Sequence, residues 1–540
     1  MNTGTRPVTE KKLIADWDTL IRTFIRPENE ASRNALFKYM EQILFGLNDF
    51  LQKHVGITEE MSLKDLAAWF QNTEITRNPE KKLEYVITDL IEGIAPLAVN
   101  VSSPYFIGHM TSAIPFFMVH LKTIVAALNQ NVVKLETSKV FSVLEKQLLA
   151  KIHRMIYQNS RSFYQQHVQN PRTTLGCFTE DGTLANITAL WVARNNLLAA
   201  DKNFAGIENM GIHAAFQERD IDRCVVLVSR LGHYSLKKAG GVLGIGNRNV
   251  ITVDVDRNNR IDLKDLQNKI LTVRKEPKTR ILAVVGIAGT TETGTIDPLQ
   301  SLGEICARHD IHLHVDAAWG GPTLLSDKYA HLLKGIELAD SVIIDGHKQF
   351  YMPMSLGMLF FKDPQLMEKI AYHANYVIRS GSVDMGSKSL SGSREANSLI
   401  LDCALKIMGR QGYALLVEHG IELARQFADE IRKRTDFELV AEPELNILAY
   451  RLFPRHLKEK ISIANNETRK KINFKLNRMN IKLQRLQREA GKSFVSRTTL
   501  TVNAEDIIVL RSVLMSPMTT IDILNEILDE QESIYHSKLK

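Results

Sequence analysis

The sequence predicts an α/β protein with a mainly parallel β-sheet in a large domain, an N-terminal helical arm and a small C-terminal α+β domain. Strand-like apolar runs alternate with helical stretches through the middle of the chain, and the regions on either side lack that alternation. The 540 residues are 44% hydrophobic and 24% charged, which is the ordinary composition of a globular protein. Collagen-like repeats and wholesale disorder are thereby excluded.

The first 95 residues have the pattern of amphipathic helices separated by polar turns, for example at Asn78-Pro79. We expect residues 1–95 to form an arm rather than a catalytic core. The opening segment MNTGTRPVTEKKLIADW lacks the apolar stretch of a secretory signal, and no run approaches the roughly 18 apolar residues of a membrane span. Neither export nor contact with a membrane is therefore expected.

Residues 96–385 carry the alternating pattern and are expected to form the large domain. The strand candidates are residues 223–229, 250–256, 280–289, 311–318, 341–346 and 357–361, and the helix candidates lie near 262–273, 298–309 and 327–339. Strands that alternate with helices predict a parallel sheet covered by helices.

Residues 386–540 are expected to form the small C-terminal domain, with long helices followed by a strand candidate, SFVSRTTLTV. Between Arg455 and Arg497 there are 13 Lys or Arg against three Glu. The local net charge of about +10 exceeds the net charge of +7 of the whole chain. Such a segment can bind nucleic acid or an anionic surface. Its residues Leu476, Met479, Leu483 and Leu486, however, have the spacing of an apolar helix stripe, so we favour a packed helix with a solvated basic face.

Four cysteines, Cys177, Cys224, Cys306 and Cys403, are spaced too far apart for a C-x-x-C redox or zinc pair. Disulfides are not expected, and a reducing, cytoplasmic location is predicted.

Two motifs are typical of ligand contacts near strand and helix ends. Gly182 and Thr183 open a helical run, and the unpaired N–H groups of a helix N-terminus can bind phosphate; an ordinary capped turn is the alternative. His233 follows the strand candidate 223–229, at the end where α/β sheets bind ligands. A purely structural loop histidine is the alternative there.

Two further motifs carry acid, base or nucleophile chemistry. His312, His314 and Asp316 share one face of a strand because of their two-residue spacing, which raises the hypothesis of a metal site. We favour Asp316 as an acid that acts on another ligand. His347 and Lys348 follow the strand candidate 341–346, where a desolvated lysine can form a Schiff base, although a surface lysine is the alternative.

Taken together, these motifs resemble the group II pyridoxal-phosphate-dependent decarboxylases, a family that includes glutamate, aromatic amino acid and histidine decarboxylases. The likeness extends from about residue 100 to 415 and implies fold type I of the pyridoxal phosphate enzymes. The usual Asp-Pro-His-Lys motif reads Asp345-Gly346-His347-Lys348 in this chain.

The resemblance assigns cofactor roles to nine residues. These are Gly182, Thr183 and Asn186 beside the phosphate, His233 over one face of the ring and Ala318 against the other, Thr290 near the ring hydroxyl, Asp316 at the ring nitrogen, and Lys348, preceded by His347, as the point of covalent attachment. Lys348, Asp316 and His233 are also implied to be catalytic.

The resemblance also assigns substrate roles. Tyr376, within residues 373–394, matches a tyrosine that donates a proton in glutamate decarboxylase, and Arg394 matches an arginine that binds the α-carboxylate. His109 and Thr111, within SPYFIGHMT, are candidates for side-chain recognition, although Tyr105 replaces the family's arginine in this segment. A homodimer with shared active sites is also implied.

The segments GKSFVSRTTL and SPYFIGHMT resemble bacterial members that decarboxylate L-aspartate to β-alanine, which supplies pantothenate and coenzyme A synthesis. Glutamate decarboxylation to 4-aminobutyrate is the alternative, because the two substrates differ by one methylene. Cysteine sulfinate decarboxylation, a pyridoxal phosphate aminotransferase and a nucleic-acid-binding protein that uses residues 455–497 also remain open.

Overall fold

The computed structural model describes residues 16–21, 30–53, 55, 62–372 and 384–540. The chain forms two compact units, one of residues 1–106 with 485–494 and the other of residues 107–484 with 495–540. The division into 1–95, 96–385 and 386–540 stays a prediction.

The first unit is helical where it is described, as its amphipathic pattern predicts. Its helices are α1 (Trp17–Ile21), α2 (Glu30–Gln52), α3 (Leu63–Trp69) and α4 (Leu83–Thr88). The hydroxyl of Ser62 caps α3 by accepting from the backbone N–H of Asp65. The side-chain amide of Asn100 satisfies carbonyl groups at the end of α2, including that of Leu51 at 3.1 Å.

The second unit contains a seven-stranded sheet in the order β1-β7-β6-β5-β4-β2-β3. Its strands are β1 (Gly176–Thr179), β2 (Arg223–Ser229), β3 (Val250–Val253), β4 (Thr279–Ile287), β5 (His312–Asp316), β6 (Ser341–Asp345) and β7 (Gly357–Phe361). Strands β2 to β6 are parallel, and β7 runs antiparallel to β6 and β1. The predicted mainly parallel sheet is confirmed, and the six predicted strands are confirmed within a few residues. Most strand residues are buried because helices cover the sheet.

Nine helices of the second unit precede the C-terminal section in the described part of the chain. They are α5 (Phe116–Leu128), α6 (Leu135–Ser138), α7 (Val140–Tyr157), α8 (Arg161–His167), α9 (Gly182–Leu197), α10 (Ile207–Glu218), α11 (Tyr234–Val242), α12 (Leu263–Arg274) and α13 (Leu299–His309). The last two confirm the helices predicted near 262–273 and 298–309.

The helix predicted near 327–339 is wrong. That stretch forms two short 3₁₀ turns, Ala330–Leu333 and Ile336–Leu338, on either side of Gly335. Gly335 has a φ of 97°, which other residues rarely adopt, and a Cβ there would lie 2.2 Å from the backbone nitrogen of Gln300. This glycine therefore interrupts the stretch where a continuous helix was expected.

A second sheet of four antiparallel strands follows, in the order β10-β11-β9-β8. Its strands are β8 (Phe437–Ala441), β9 (Ile447–Leu452), β10 (Ser496–Val502) and β11 (Glu505–Val513), and its helices are α14 (Asn397–Lys433), α15 (Arg455–Ser462), α16 (Asn466–Ala490) and α17 (Ile521–Ile534). Strand β10 confirms the strand predicted within SFVSRTTLTV.

Helix α16 carries most of the basic segment and packs as its apolar stripe predicts. Leu476 and Leu483 are fully buried, while Met479 and Leu486 are half-buried. Asn480 is buried on the same side, where its amide group accepts from the backbone N–H of Leu452 at 2.8 Å. Lysines on the opposite side remain exposed, so the basic charge lies on the solvent face of a packed helix.

Among the described residues, no helix combines the length and apolarity that crossing a membrane would need. Of the four cysteines, three are buried and one is half-buried, and none forms a disulfide.

Candidate active site

A cavity of about 260 Å³ lies at the carboxyl ends of the parallel strands β4, β5 and β6. Its lining comprises His109, Met110, Asp181, Gly182, Thr183, Asn186, Leu231, His233, Tyr234, Ile287, Gly289, Thr291, Asp316, Ala318, Trp319, Asp345, His347 and Lys348. Parallel strands deliver their carboxyl ends to one edge of a sheet, which is where α/β proteins place ligands.

The N-terminus of α9 forms one wall of the cavity. The carboxylate of Asp181 caps the helix by accepting from the backbone N–H of Leu184 at 2.8 Å. The first amides of the helix, at Gly182 and Thr183, have no partner within the helix and can bind an anion. A Cβ on Gly182 would lie 2.7 Å from the Asp345 carboxylate, so only glycine allows this close approach.

Asp316, at the end of β5, is held by two hydrogen bonds. Its Oδ1 accepts from the backbone N–H of Ala318 at 3.1 Å, and its Oδ2 accepts from the side-chain amide of Asn186 at 3.0 Å. Asn186 also lines the cavity beside Gly182 and Thr183, and its contact with phosphate stays a prediction. Asn186 lies one turn into α9, beyond the free amides of the helix end, so its side chain reaches Asp316.

His233 caps the N-terminus of α11 beside the cavity. Its Nδ1 lies 2.8 Å from the hydroxyl of Ser235 and accepts from the Ser235 backbone N–H, which assigns the ring proton to Nε2. Burial lowers the pKa of His233, against the opposing charge of Asp316, and Lys348 lowers it further. A neutral imidazole at this position suits contact with an aromatic ring.

Lys348 lies in the turn between β6 and β7, with its amine 3.0 Å from the Asp345 carboxylate. Asp345 is buried, and its second oxygen, Oδ1, has no hydrogen-bond partner. His347 orders the same turn, because its Nδ1 lies 3.0 Å from the carbonyl oxygen of Leu356. The turn thus presents a primary amine to the cavity.

Thr290, predicted to lie near a ring hydroxyl, is not among the residues that line the cavity. Its hydroxyl lies 2.8 Å from that of Thr293 and accepts from the backbone N–H of Thr295, so it is used within its own loop. The adjacent Thr291 lines the cavity instead.

Arg394 also lies away from the cavity lining. Its guanidinium makes a two-point ion pair with the buried carboxylate of Glu145, including a 3.0 Å hydrogen bond from Nη1. The ring of Phe178 lies 5.6 Å from the guanidinium carbon. In this arrangement the charge of Arg394 is already neutralised, and the structure does not show Arg394 positioned for a substrate carboxylate.

Of the two residues predicted for side-chain recognition, only His109 lines the cavity. Thr111 is half-buried, with its hydroxyl 3.4 Å from the His109 ring. His109 is exposed on one side, and partial desolvation, together with the charges of Arg511 and Lys348, lowers its pKa. Tyr376 lies outside the described residues.

Arg511 was missed by the sequence reasoning. It lies on β11, is 9% exposed, and donates to the backbone carbonyls of Thr291 and Gly108 at 3.0 and 3.1 Å. Its Nε has no hydrogen-bond partner, and the carboxylate whose charge acts on it is that of Glu292. The sequence does contain an indication of this site, namely an arginine inside the apolar run IIVLRSVLM. An arginine in a buried strand is unusual, because a buried charge normally needs a partner.

The residues of the cavity fit pyridoxal phosphate. The free amides at the start of α9 suit its phosphate, Asp316 suits its ring nitrogen, and Lys348 suits its aldehyde carbon. The unpartnered Asp345 oxygen and the close approach of Gly182 to the Asp345 carboxylate make this wall polar, unlike a hydrophobic core.

Three comparisons with known proteins all find similarity to pyridoxal-dependent decarboxylases. Residues 67–453 match the family model described as the pyridoxal-dependent decarboxylase conserved domain. Aspartate 1-decarboxylase of Aliivibrio fischeri is 45% identical over 98% of this chain and 97% of its own length. Acidic amino acid decarboxylase of Mus musculus is 30% identical over 68% of this chain and 64% of its own length.

Among solved structures, the glutamate decarboxylase domain of a Vibrio parahaemolyticus protein has a TM-score of 0.79 at 22% identity, covering 96% of this chain and 99% of that one. The Oryza sativa enzyme solved with pyridoxal phosphate and tryptamine has a TM-score of 0.79 at 17% identity, covering 96% of this chain and all of that one. At these identities the likeness shows a shared fold.

Proposed function

The chain belongs to the pyridoxal-dependent decarboxylase family, and from this premise we propose that it decarboxylates L-aspartate to β-alanine and carbon dioxide. The observation that carries the choice of substrate is the 45% identity to an aspartate 1-decarboxylase over nearly the full length of both chains. β-Alanine is a precursor of pantothenate and coenzyme A, so the proposal includes that supply. The free cysteines support the prediction of a cytoplasmic location.

The experiment that tests the substrate is a direct comparison of amino acids. Purified protein loaded with pyridoxal phosphate is incubated separately with aspartate, glutamate, cysteine sulfinate and an aromatic amino acid, while carbon dioxide is measured and the amine identified. We expect β-alanine from aspartate as the main product. Predominant formation of 4-aminobutyrate would show that glutamate is the substrate, and predominant formation of hypotaurine would show that cysteine sulfinate is. Amino transfer to 2-oxoglutarate without carbon dioxide release would indicate an aminotransferase.

Different residues of the cavity would have different roles in decarboxylation. Bound pyridoxal phosphate would supply an electron sink for the electron pair that stays on the substrate α-carbon when carbon dioxide leaves. Lys348 would hold the cofactor covalently, Gly182 and Thr183 would bind its phosphate, and Asp316 would keep its ring nitrogen protonated. His233 and Ala318 would enclose the ring from its two faces and exclude water.

Arg511 would bind a carboxylate of the substrate. Its guanidinium is buried between two backbone carbonyls, and burial lowers its pKa although the charge of Glu292 opposes this shift. A buried cation with an unused N–H is stabilised by an anion, and an acidic substrate brings one into the neighbouring cavity. An arginine in this place therefore supports an acidic amino acid as the substrate.

Arg511→Gln should raise the KM for aspartate by about 100-fold, because one charged hydrogen-bonded contact is lost. Steady-state kinetics on the loaded enzyme measures the change, and cofactor affinity should stay within about twofold of the wild type. Arg497→Gln, which removes an arginine from the neighbouring strand β10, is the matched control. An unchanged KM in Arg511→Gln would exclude the contact.

Tyr376 is proposed as the acid that protonates the substrate α-carbon after carbon dioxide leaves. Tyr376→Phe removes only the hydroxyl, so kcat should fall by about 100-fold while cofactor binding is retained. Stopped-assay product analysis together with the cofactor absorbance measures both quantities. A kcat equal to that of the wild type would assign the proton to another group.

We also propose that two chains form a homodimer through an apolar face on helices α5 and α14. Phe116 on α5 is 78% exposed, and Ile407 and Leu415 on α14 are 59% and 57% exposed, while the two helices pack against each other. Such a group of exposed large side chains is typical of an interface.

Sedimentation velocity should show a dimer at micromolar concentration, and Phe116→Glu should shift it toward the monomer by placing a charge in the interface. Phe474→Glu is the matched control, because Phe474 on α16 is 66% exposed and lies outside this face. A wild-type chain that sediments as a monomer would contradict the proposal.

A further inference from the structure

Polar side chains extend from Asp316 away from the cavity, along one face of β5. His312, His314 and Asp316 share this face because side chains alternate along a strand. The same spacing raised the hypothesis of a metal site, but no group of residues able to hold a metal is found in the described part of the chain. The two histidines therefore need another explanation.

Hydrogen bonds connect these residues in a single series. Asn186 joins Asp316 to His314, whose Nε2 lies 2.8 Å from the Asn186 Oδ1. The hydroxyl of Ser341, which is paired with His314 across strands β5 and β6, lies 2.8 Å from the His314 Nδ1 and 2.8 Å from the His312 Nε2. The series is therefore His312, Ser341, His314, Asn186, Asp316.

The donors and acceptors of the series can be assigned from its carboxylate end. An ionised carboxylate only accepts, so the NH₂ group of Asn186 faces Asp316 and its oxygen faces His314. The His314 Nε2 must then carry a proton. Burial lowers the pKa of His314 to about 4, so its ring is neutral near pH 7 and its Nδ1 accepts from Ser341.

The far end of the series completes this assignment. Because the Ser341 hydroxyl gives its only proton to His314, its oxygen accepts from the His312 Nε2. The Nδ1 of His312 lies 4.0 Å from the carboxylate of Asp340, whose side chain is 42% exposed. Every donor in the series thus points toward Asp316, and hydrogen bonds aligned in one direction polarise one another.

We propose that His312, Ser341, His314 and Asn186 are positioning residues that act through Asp316 to keep the proton on the ring nitrogen of pyridoxal phosphate. The series donates onto the carboxylate, which makes Asp316 less able to take that proton from the ring. A ring nitrogen that keeps its proton is the better electron acceptor. The proposal depends on bound pyridoxal phosphate and not on which amino acid is the substrate.

The first test removes the hydroxyl of Ser341, which joins His312 to His314. Apoprotein carrying Ser341→Ala is loaded with pyridoxal phosphate labelled with ¹⁵N in the ring, and solid-state NMR measures the nitrogen resonance. We expect it to move toward the position of a neutral pyridine, and the Kd for the cofactor, measured by equilibrium dialysis, to rise by about tenfold. Ser398→Ala is the matched control, because Ser398 is a buried serine with an unpartnered hydroxyl.

The second test acts at the distant end, where a merely structural effect on Asp316 is least expected. His312→Gln keeps an N–H donor facing Ser341, whereas His312→Leu removes it. The ¹⁵N resonance should stay at the wild-type position in His312→Gln and move toward neutral pyridine in His312→Leu. A wild-type resonance in folded His312→Leu would overturn the proposal. If Ser341→Ala does not fold, the comparison of His312→Gln with His312→Leu tests the proposal alone.

Discussion

Replacing Lys348 by alanine should abolish covalent attachment of the cofactor and lower kcat/KM by at least about 1,000-fold. The amine of Lys348 projects into the cavity within 3.0 Å of Asp345, and no other lysine lines the described cavity. Loss of the visible absorbance band of the bound cofactor, and of a label introduced by borohydride reduction, measures the attachment.

Lys362→Ala is the matched control for Lys348→Ala. Lys362 follows β7 directly and is exposed, so its removal should change neither the absorbance nor the rate. A borohydride-reducible chromophore that persists in Lys348→Ala would show that another amine holds the cofactor.

Asp316→Asn should leave the cofactor bound but lower kcat by about 1,000-fold. An amide is nearly isosteric with the carboxylate and can keep the hydrogen bond from the Ala318 backbone N–H. It carries no charge to balance a protonated ring nitrogen, so the bound ring becomes a poor electron acceptor. Steady-state rates and the ring ¹⁵N resonance measure the two effects separately.

Asp222→Asn is the control for the change of charge, because Asp222 is exposed and lies just before β2, at the amino ends of the parallel strands. It should behave like the wild type. A kcat for Asp316→Asn within fivefold of the wild-type value would mean that the ring nitrogen needs no carboxylate partner in this protein.

Much of the sheet could be predicted because its strands are buried on both faces. Val225 to Val228 on β2 and Val342 to Ile344 on β6 are nearly or fully inaccessible, and such strands appear in a sequence as continuous apolar runs. The antiparallel direction of β7 was not predictable in this way, because an apolar run is the same in either direction. The failed helix near 327–339 shows that one glycine with a positive φ overrides helical periodicity.

The positions of Gly182, His233, Asp316 and Lys348 near strand or helix ends could be predicted from the sequence, because each opens, ends or follows a regular element. Parallel strands bring such ends to one edge without further information. The cavity that contains all four follows from this rule of topology.

The partners of polar side chains were decided only by the tertiary structure. Asn186 and Thr290 have the residue types that suit a cofactor, yet one reaches Asp316 and the other closes its own loop. Arg394 pairs with Glu145, 249 positions away along the chain, while Arg511 donates to backbone carbonyls and its Nε has no hydrogen-bond partner. Hydrogen bonds and ion pairs act over a few ångströms, so they depend on how distant segments pack. The burial of the strands, in contrast, follows from the local hydrophobic pattern, which is present in the sequence itself.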